Sequence, residues 1–116
     1  MKIFVFGSNL AGRHGAGAAL DARRYHGAIY GRGEGLQGRS YAIPTKSSTL
    51  QTLNLDAIEM FVNRFLVFAR AHPEKIFQIT PIGCGLAGYK PMDIAPMFRG
   101  APSNCELPES FTAVLG

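Results

Sequence analysis

Apolar and polar positions fall into blocks along this chain, and the blocks change period as they go. Lys2–Phe6 (KIFVF) is a short apolar run of β-forming residues that Gly7 ends, which predicts a buried strand. Ser8–His14 carries turn residues with little periodicity and predicts a loop. Over Ala16–His26 the residues Ala16, Ala19, Leu20 and Arg23 recur on one side at helical spacing, and so many alanines let a helix approach a sheet closely. The segment Gly27–Gly38 is too dense in glycine for regular structure, and Ser40–Ile43, stopped by Pro44, predicts a second strand. The clearest helix begins at Asn54 or Asp56, either of which can cap it. Leu55, Ile58, Phe61, Val62, Phe65, Leu66 and Ala69 form its apolar stripe, and it must end by His72 because Pro73 disfavours helical geometry before it. That stripe is core. Lys75–Ile82 (KIFQITPI) predicts a third strand that opens into GCGLAGY. A short helix is expected over about Asp93–Phe98, with Pro96 tolerated in its first turn, and Asn104–Leu107 is expected as a last short strand.

Strands alternating with helices predict an α/β fold with a largely parallel sheet, and 116 residues suffice for a single domain over 1–116. In such sheets ligands gather outside the carboxyl ends of the strands. The loops Gly7–Gly17 and Gly83–Tyr89 each follow a strand and precede a helix, so both are expected to open at that edge.

Composition narrows the classes further. With 47% apolar and 17% charged residues the chain is globular in character. No apolar run reaches the roughly 20 residues that span a bilayer, and the first residues lack a secretory apolar core, so the expected location is cytoplasmic. Cys84 and Cys105 have no metal-binding spacing, which predicts reduced thiols and no metal or other cofactor. Charge is uneven. Residues 1–50 hold Lys2, Arg13, Arg23, Arg24, Arg32, Arg39 and Lys46 against Asp21 and Glu34, while the remainder is slightly acidic. Nine of the fourteen glycines fall between Gly7 and Gly38, so exposed amides and positive charge share one region, which suits a phosphate-bearing ligand. A plain solvated basic surface accounts for the charge alone equally well.

Three phosphate-binding templates can be tried. Gly33–Gly38 spells GxGxxG but precedes a strand instead of following one, so it is no dinucleotide fingerprint. Gly12 and Gly17 have Walker-like separation, yet Ala18 and Ala19 replace the Lys-Ser/Thr that motif needs. A bare amide nest at a helix start fits both Gly12–Gly17 and Gly83–Gly88. Clustered glycines also make ordinary tight turns.

The run FGSNLAGRHGAGAAL resembles the macrodomain ligand loop, and ITPIGCGLAGY resembles the second loop of that family, which wraps a diphosphate and the far ribose. Between them GRSYAIPTK is similar to the strand that leads toward the active centre. The resemblance covers most of residues 4–89 and is nearest in character to short phage and bacterial macro-like proteins and to the ADP-ribosylglutamate hydrolases. It implies a three-layer α/β/α fold that binds ADP-ribose or an ADP-ribosyl derivative. It further implies that Asn9 bonds ribose hydroxyls and that Gly12, His14, Gly15 and Gly17 bring backbone close to ribose and phosphate. By the same resemblance Gly83, Cys84, Gly85, Leu86, Ala87 and Gly88 offer amides, and Tyr89 shields the ligand. Each has a plainer alternative: Asn9 as a turn cap, His14 as a surface loop residue, Tyr89 as packing.

Lys46 matches the lysine that attacks the anomeric carbon in the glutamate-type hydrolases, and a lysine in such a site can act as a nucleophile. The aspartate that partners it there is replaced by Ala87, which cannot transfer a proton. Cys84 has no visible histidine partner for nucleophilic work. The chain is also shorter than usual macrodomains and has no match for the adenine-reading aspartate. Three functions follow for the structure to weigh: an ADP-ribose binder, a hydrolase of ADP-ribosylated protein, nucleic acid or ADP-ribose 1″-phosphate, and a basic nucleic-acid-binding protein. Against the last, the basic half has few aromatics for base stacking beyond Tyr25, Tyr30 and Tyr41.

Overall fold

The first strand runs past its apolar residues. In the computed structural model, which describes residues 2–116, β1 spans Lys2–Asn9 and so includes Gly7, Ser8 and Asn9. They are held there by β3 (Ser40–Lys46), whose parallel pairing continues from Phe4↔Ser40 through Ser8↔Pro44 to Asn9↔Lys46, with a register shift after Ser8. The expectation that Pro44 stops this strand is therefore corrected: it reaches Lys46. Its other neighbour, β2 (Gly35–Gln37), pairs antiparallel only as far as Gly35↔Ala42, so no partner on that side asks Pro44 for an amide. The glycine-rich segment is likewise corrected, since β2 lies within it. Gly38 makes the hairpin turn at φ 59°, packed against the backbone of Gly27.

After β3 come α2 (Leu55–Ala71), β4 (Ile76–Ile79), a short α3 (Pro91–Ile94) that tightens into a 3-10 turn over Ala95–Phe98, β5 (Cys105–Glu106) and α4 (Glu109–Leu115). The sheet order is β2-β3-β1-β4-β5, parallel everywhere except at the β2 edge. The first helix, α1, occupies Gly17–Tyr25 between β1 and β2. The third strand is shorter than its apolar run because Thr80 leaves the ladder, although its amide still donates to Val5 O. The final helix has no counterpart among the sequence expectations.

Alternating side chains sort the core onto two faces of the sheet. Ile3, Val5, Tyr41, Ile43, Phe77 and Ile79 pack with Ile58, Phe61, Val62, Phe65, Leu66 and Ala69 of α2, and Ile94, Phe98 and Phe111 complete that layer. Phe6 and Ala42 face the other way, onto Ala19 and Ala22 of α1 and Ala28. Helix α2 starts where its cap lies, with the Asn54 side chain accepting the amide of Ala57 and Asp56 in the first turn, and it stops at His72 before Pro73. No helix among the described residues is long and apolar enough to cross a membrane.

This arrangement places a site. The chain leaves β1 toward α1 on one face, whereas it leaves β3 and β4 toward α2 and α3 on the opposite face. At the carboxyl end of β1 the connections therefore diverge, and in open α/β sheets such a divergence opens a crevice.

Candidate functional site

A cavity of about 840 Å³ occupies that crevice, within the roughly 300–1,000 Å³ typical of small-molecule sites. Its walls are the end of β1 (Gly7–Asn9), the end of β3 (Thr45 and Lys46), the segment 15–19 entering α1 and the segment 80–87 after β4. Arg13, Tyr30 and Leu50 complete it. The two glycine-rich loops thus meet at one rim: a methyl added at Gly17 would touch the Leu86 side chain at 3.7 Å.

What lines this rim is largely unspent backbone. Among the described residues, no protein oxygen accepts the amides of Gly15, Ala16, Gly17, Ala18 and Ala19, nor those of Gly83, Gly85, Leu86 and Ala87. The first group is the open N-terminus of α1, whose cap residue Ala16 provides no side-chain bond and whose first turn holds no acid. The contrast with α2, capped by Asn54 and carrying Asp56, is direct. An anion at the start of α1 meets both free donors and the positive end of the helix dipole.

Charge agrees. Arg13 and Lys46 are the ionised side chains of the lining, and it includes no Asp, Glu or His. The ion pairs among the described residues are Lys2–Glu106, Arg64–Glu34 and His72–Glu74, so neither cavity cation is neutralised by a carboxylate. The aliphatic hydroxyls are spent on the backbone, Ser8 Oγ donating to Gly33 O, Thr45 Oγ1 to Ser8 O at 3.2 Å, and Thr80 Oγ1 to Val5 O at 2.7 Å, while Tyr30 brings a phenol to the lining. The cavity can hold an anion, and its lining offers no carboxylate or imidazole to move a proton.

The residues named from sequence separate into two groups. Asn9, Gly15, Gly17, Lys46, Gly83, Cys84, Gly85, Leu86 and Ala87 line the cavity, whereas Gly12, His14, Gly88 and Tyr89 do not. Asn9 also clamps the turn, accepting the Arg13 amide at 2.9 Å and donating to Arg13 O at 3.0 Å. His14 is neither a surface loop residue nor a cavity residue. It is fully buried, its ring edge-on to Phe6, with Nε2 3.0 Å from Arg32 O and 3.2 Å from Gln37 Oε1. Two acceptors there require the proton on Nε2, so the ring is a structural donor inside the core. Gly12 is a close-approach glycine: at φ 71° its missing Cβ would lie 2.3 Å from Arg32 N. Tyr89 reaches across to donate to Leu53 O at 2.7 Å, which makes it a packing tyrosine, and the Gly88 amide closes a turn onto Gly85 O.

Lys46 is half-buried at the end of β3, bridged to Thr52 and accepting the Leu10 amide on its carbonyl. The carbonyl of Ala87 accepts from Thr52 Oγ1 at 3.1 Å. Burial pushes the Cys84 thiol up, and Asp93 adds to the effect. A raised thiol pKa leaves less thiolate at neutral pH, so Cys84 is a weak nucleophile. Labelling with iodoacetamide should accordingly rise with pH later than labelling of a free cysteine; a midpoint below that of free cysteine contradicts this account.

Sequence reasoning did not single out Arg13, Tyr30, Leu50 or Thr45 for the cavity. Arg13 had a signal, because it sits inside the first glycine-rich loop. Tyr30 and Leu50 had none, since both arrive from turns whose position only the tertiary structure sets. No cluster of three or more His, Cys, Asp or Glu suited to a metal occurs among the described residues. No family model, curated protein or solved structure matches the chain.

Proposed function

We propose that this chain binds ADP-ribose or a close ADP-ribosyl derivative, in a macrodomain-type α/β/α fold, with the diphosphate against the two glycine-rich loops. The observation that carries the reading is a crevice holding two unpaired cations, no carboxylate and the free amides of Gly15–Ala19, Gly83 and Gly85–Ala87. Charge-assisted bonds from backbone amides to an anion contribute about 1.5–3 kcal/mol each, so several of them acting together are needed to offset the cost of immobilising a ligand. A diphosphate fits better than a single phosphate because the donors come from two separate loops. The resemblance of FGSNLAGRHGAGAAL and ITPIGCGLAGY to the family's loops supports the same ligand.

A hydrolase is the second reading, and the cavity position of Lys46 favours it. Against it stands chemistry: with Ala87 in place of an acid and no carboxylate in the lining, none is present to take the proton that Lys46 would lose on attacking the sugar. Calorimetric titration with ADP-ribose, followed by chromatography of an ADP-ribosyl ester incubated with the protein, separates the two. Binding heat with no product over hours is the expected result. Turnover that disappears in Lys46→Ala makes the protein a hydrolase, and no heat at all defeats both readings.

A further inference from the structure

The free positive charge of this molecule gathers around α1. Among the described residues no carboxylate pairs with Arg13, Arg23, Arg24, Arg32 or Arg39, and all of them are exposed. Over residues 10–40 the acids are Asp21 and Glu34, and Glu34 is held by Arg64 of α2 at 3.0 Å. Asp21 alone is left against these arginines.

The fold brings them into one track that begins at the cavity. Arg13 belongs to the lining, and Arg32 lies beside the same loop, its backbone nitrogen 2.3 Å from where a Cβ on Gly12 would stand. Tyr30, also in the lining, carries the Arg23 guanidinium over its ring, 5.1 Å from the centroid. Arg24 is the next residue of α1, and at the end of that helix the Arg39 amide donates to His26 O at 2.8 Å. The negative end of the helix dipole accounts for Arg23 and Arg24. It does not account for Arg13, Arg32 and Arg39, which come from loops and from the turn into β3.

Repeated cations with so little acid between them suit a polyanion better than a single anion. Flat apolar surface adjoins them, since Tyr25 is 66% exposed and Tyr30 55%. Aromatic rings set among arginines stack on unpaired bases; a duplex keeps its bases inside, and an acidic peptide has none. We infer that this face of the protein binds the sugar–phosphate backbone of a single-stranded nucleic acid, with the exposed tyrosines against its bases. The inference is independent of what the cavity itself holds.

Fluorescence anisotropy of the intact chain with a labelled oligothymidylate tests it. Arg23→Gln combined with Arg24→Gln should weaken binding about 20-fold at about 0.1 M salt, because each lost phosphate contact takes about 0.7 from the slope of log affinity against log salt. Arg39→Gln, on a different element, should weaken it about fivefold by the same reckoning, and it decides the matter if the double variant melts below wild type. Arg70→Gln combined with Arg99→Gln removes equal charge from elements packed on the other face of the sheet and should change affinity less than about twofold. Equal losses in the two double variants reduce the effect to net charge and overturn the inference. So does a wild type that ignores the strand, or that binds a duplex or polyglutamate as tightly. Calorimetry with ADP-ribose keeps the two readings apart: the double variant on α1 should bind it as wild type does, and a wild type that binds the strand but not ADP-ribose defeats the proposed function alone.

Discussion

Replacing Gly85 by glutamate should abolish ADP-ribose binding while leaving the fold in place. A Cβ at Gly85 meets nothing within 4 Å, and its backbone is not left-handed, so neither packing nor conformation demands glycine there. The added carboxylate enters the cavity beside the free amides of Leu86 and Ala87, where the proposed diphosphate lies. It takes those donors for itself and repels a second anion. Two like charges 4 Å apart at a protein surface cost about 4 kcal/mol, and even after screening by salt this exceeds a hundredfold in affinity. Gly85→Ala is the control, because a methyl group adds bulk without charge and should cost far less. Calorimetry reads the affinity and thermal melting reads the fold. A Gly85→Glu protein that melts as wild type yet still binds ADP-ribose removes the second loop from the site.

Replacing Gly12 by alanine should have the opposite character, with stability lost instead of affinity. The added Cβ would fall 2.3 Å from both Arg32 N and Gly31 C, and the residue would have to hold φ 71° besides. The left-handed conformation costs about 1–2 kcal/mol and the steric overlap about 1–3 more, so a loss on the order of 3 kcal/mol is expected. For a chain of this length that lowers the melting temperature by about 10 °C or more. The backbone contact matters because the Gly31 amide donates to Gly12 O at 2.8 Å, and His14 and Gln37 hold Arg32 O from below. If Gly12→Ala melts as wild type and merely binds more weakly, Gly12 belongs to the ligand site after all.

These two glycines show what the sequence can convey. Both sit in loops that read alike, as glycine-rich turns between a strand and a helix. One is glycine because Arg32, twenty residues away, presses against it, and the other stands in open space. No local pattern separates the two cases. Periodicity served best where one element makes its own argument: the stripe from Leu55 to Ala69 marks α2, and Asn54 marks its start. It served worst where pairing with a neighbour overrides composition. Gly7, Ser8, Asn9, Pro44 and Lys46 have weak strand character, yet each strand extends the other into the cavity wall. Helix α4 is seven residues anchored by Phe111 alone among buried positions, too little for a readable stripe. His14 and Gln37 meet only through the fold, so their buried pair had no signature along the chain.

The most direct test of the site is an amide NMR titration of the intact chain with ADP-ribose. Shift changes should concentrate on Gly15–Ala19 and on Gly83–Ala87, the two runs that carry free donors around one crevice. Changes centred instead on the exposed groove of α2 between Asp56 and Val67, or scattered over Arg24 and Arg39, would contradict this placement.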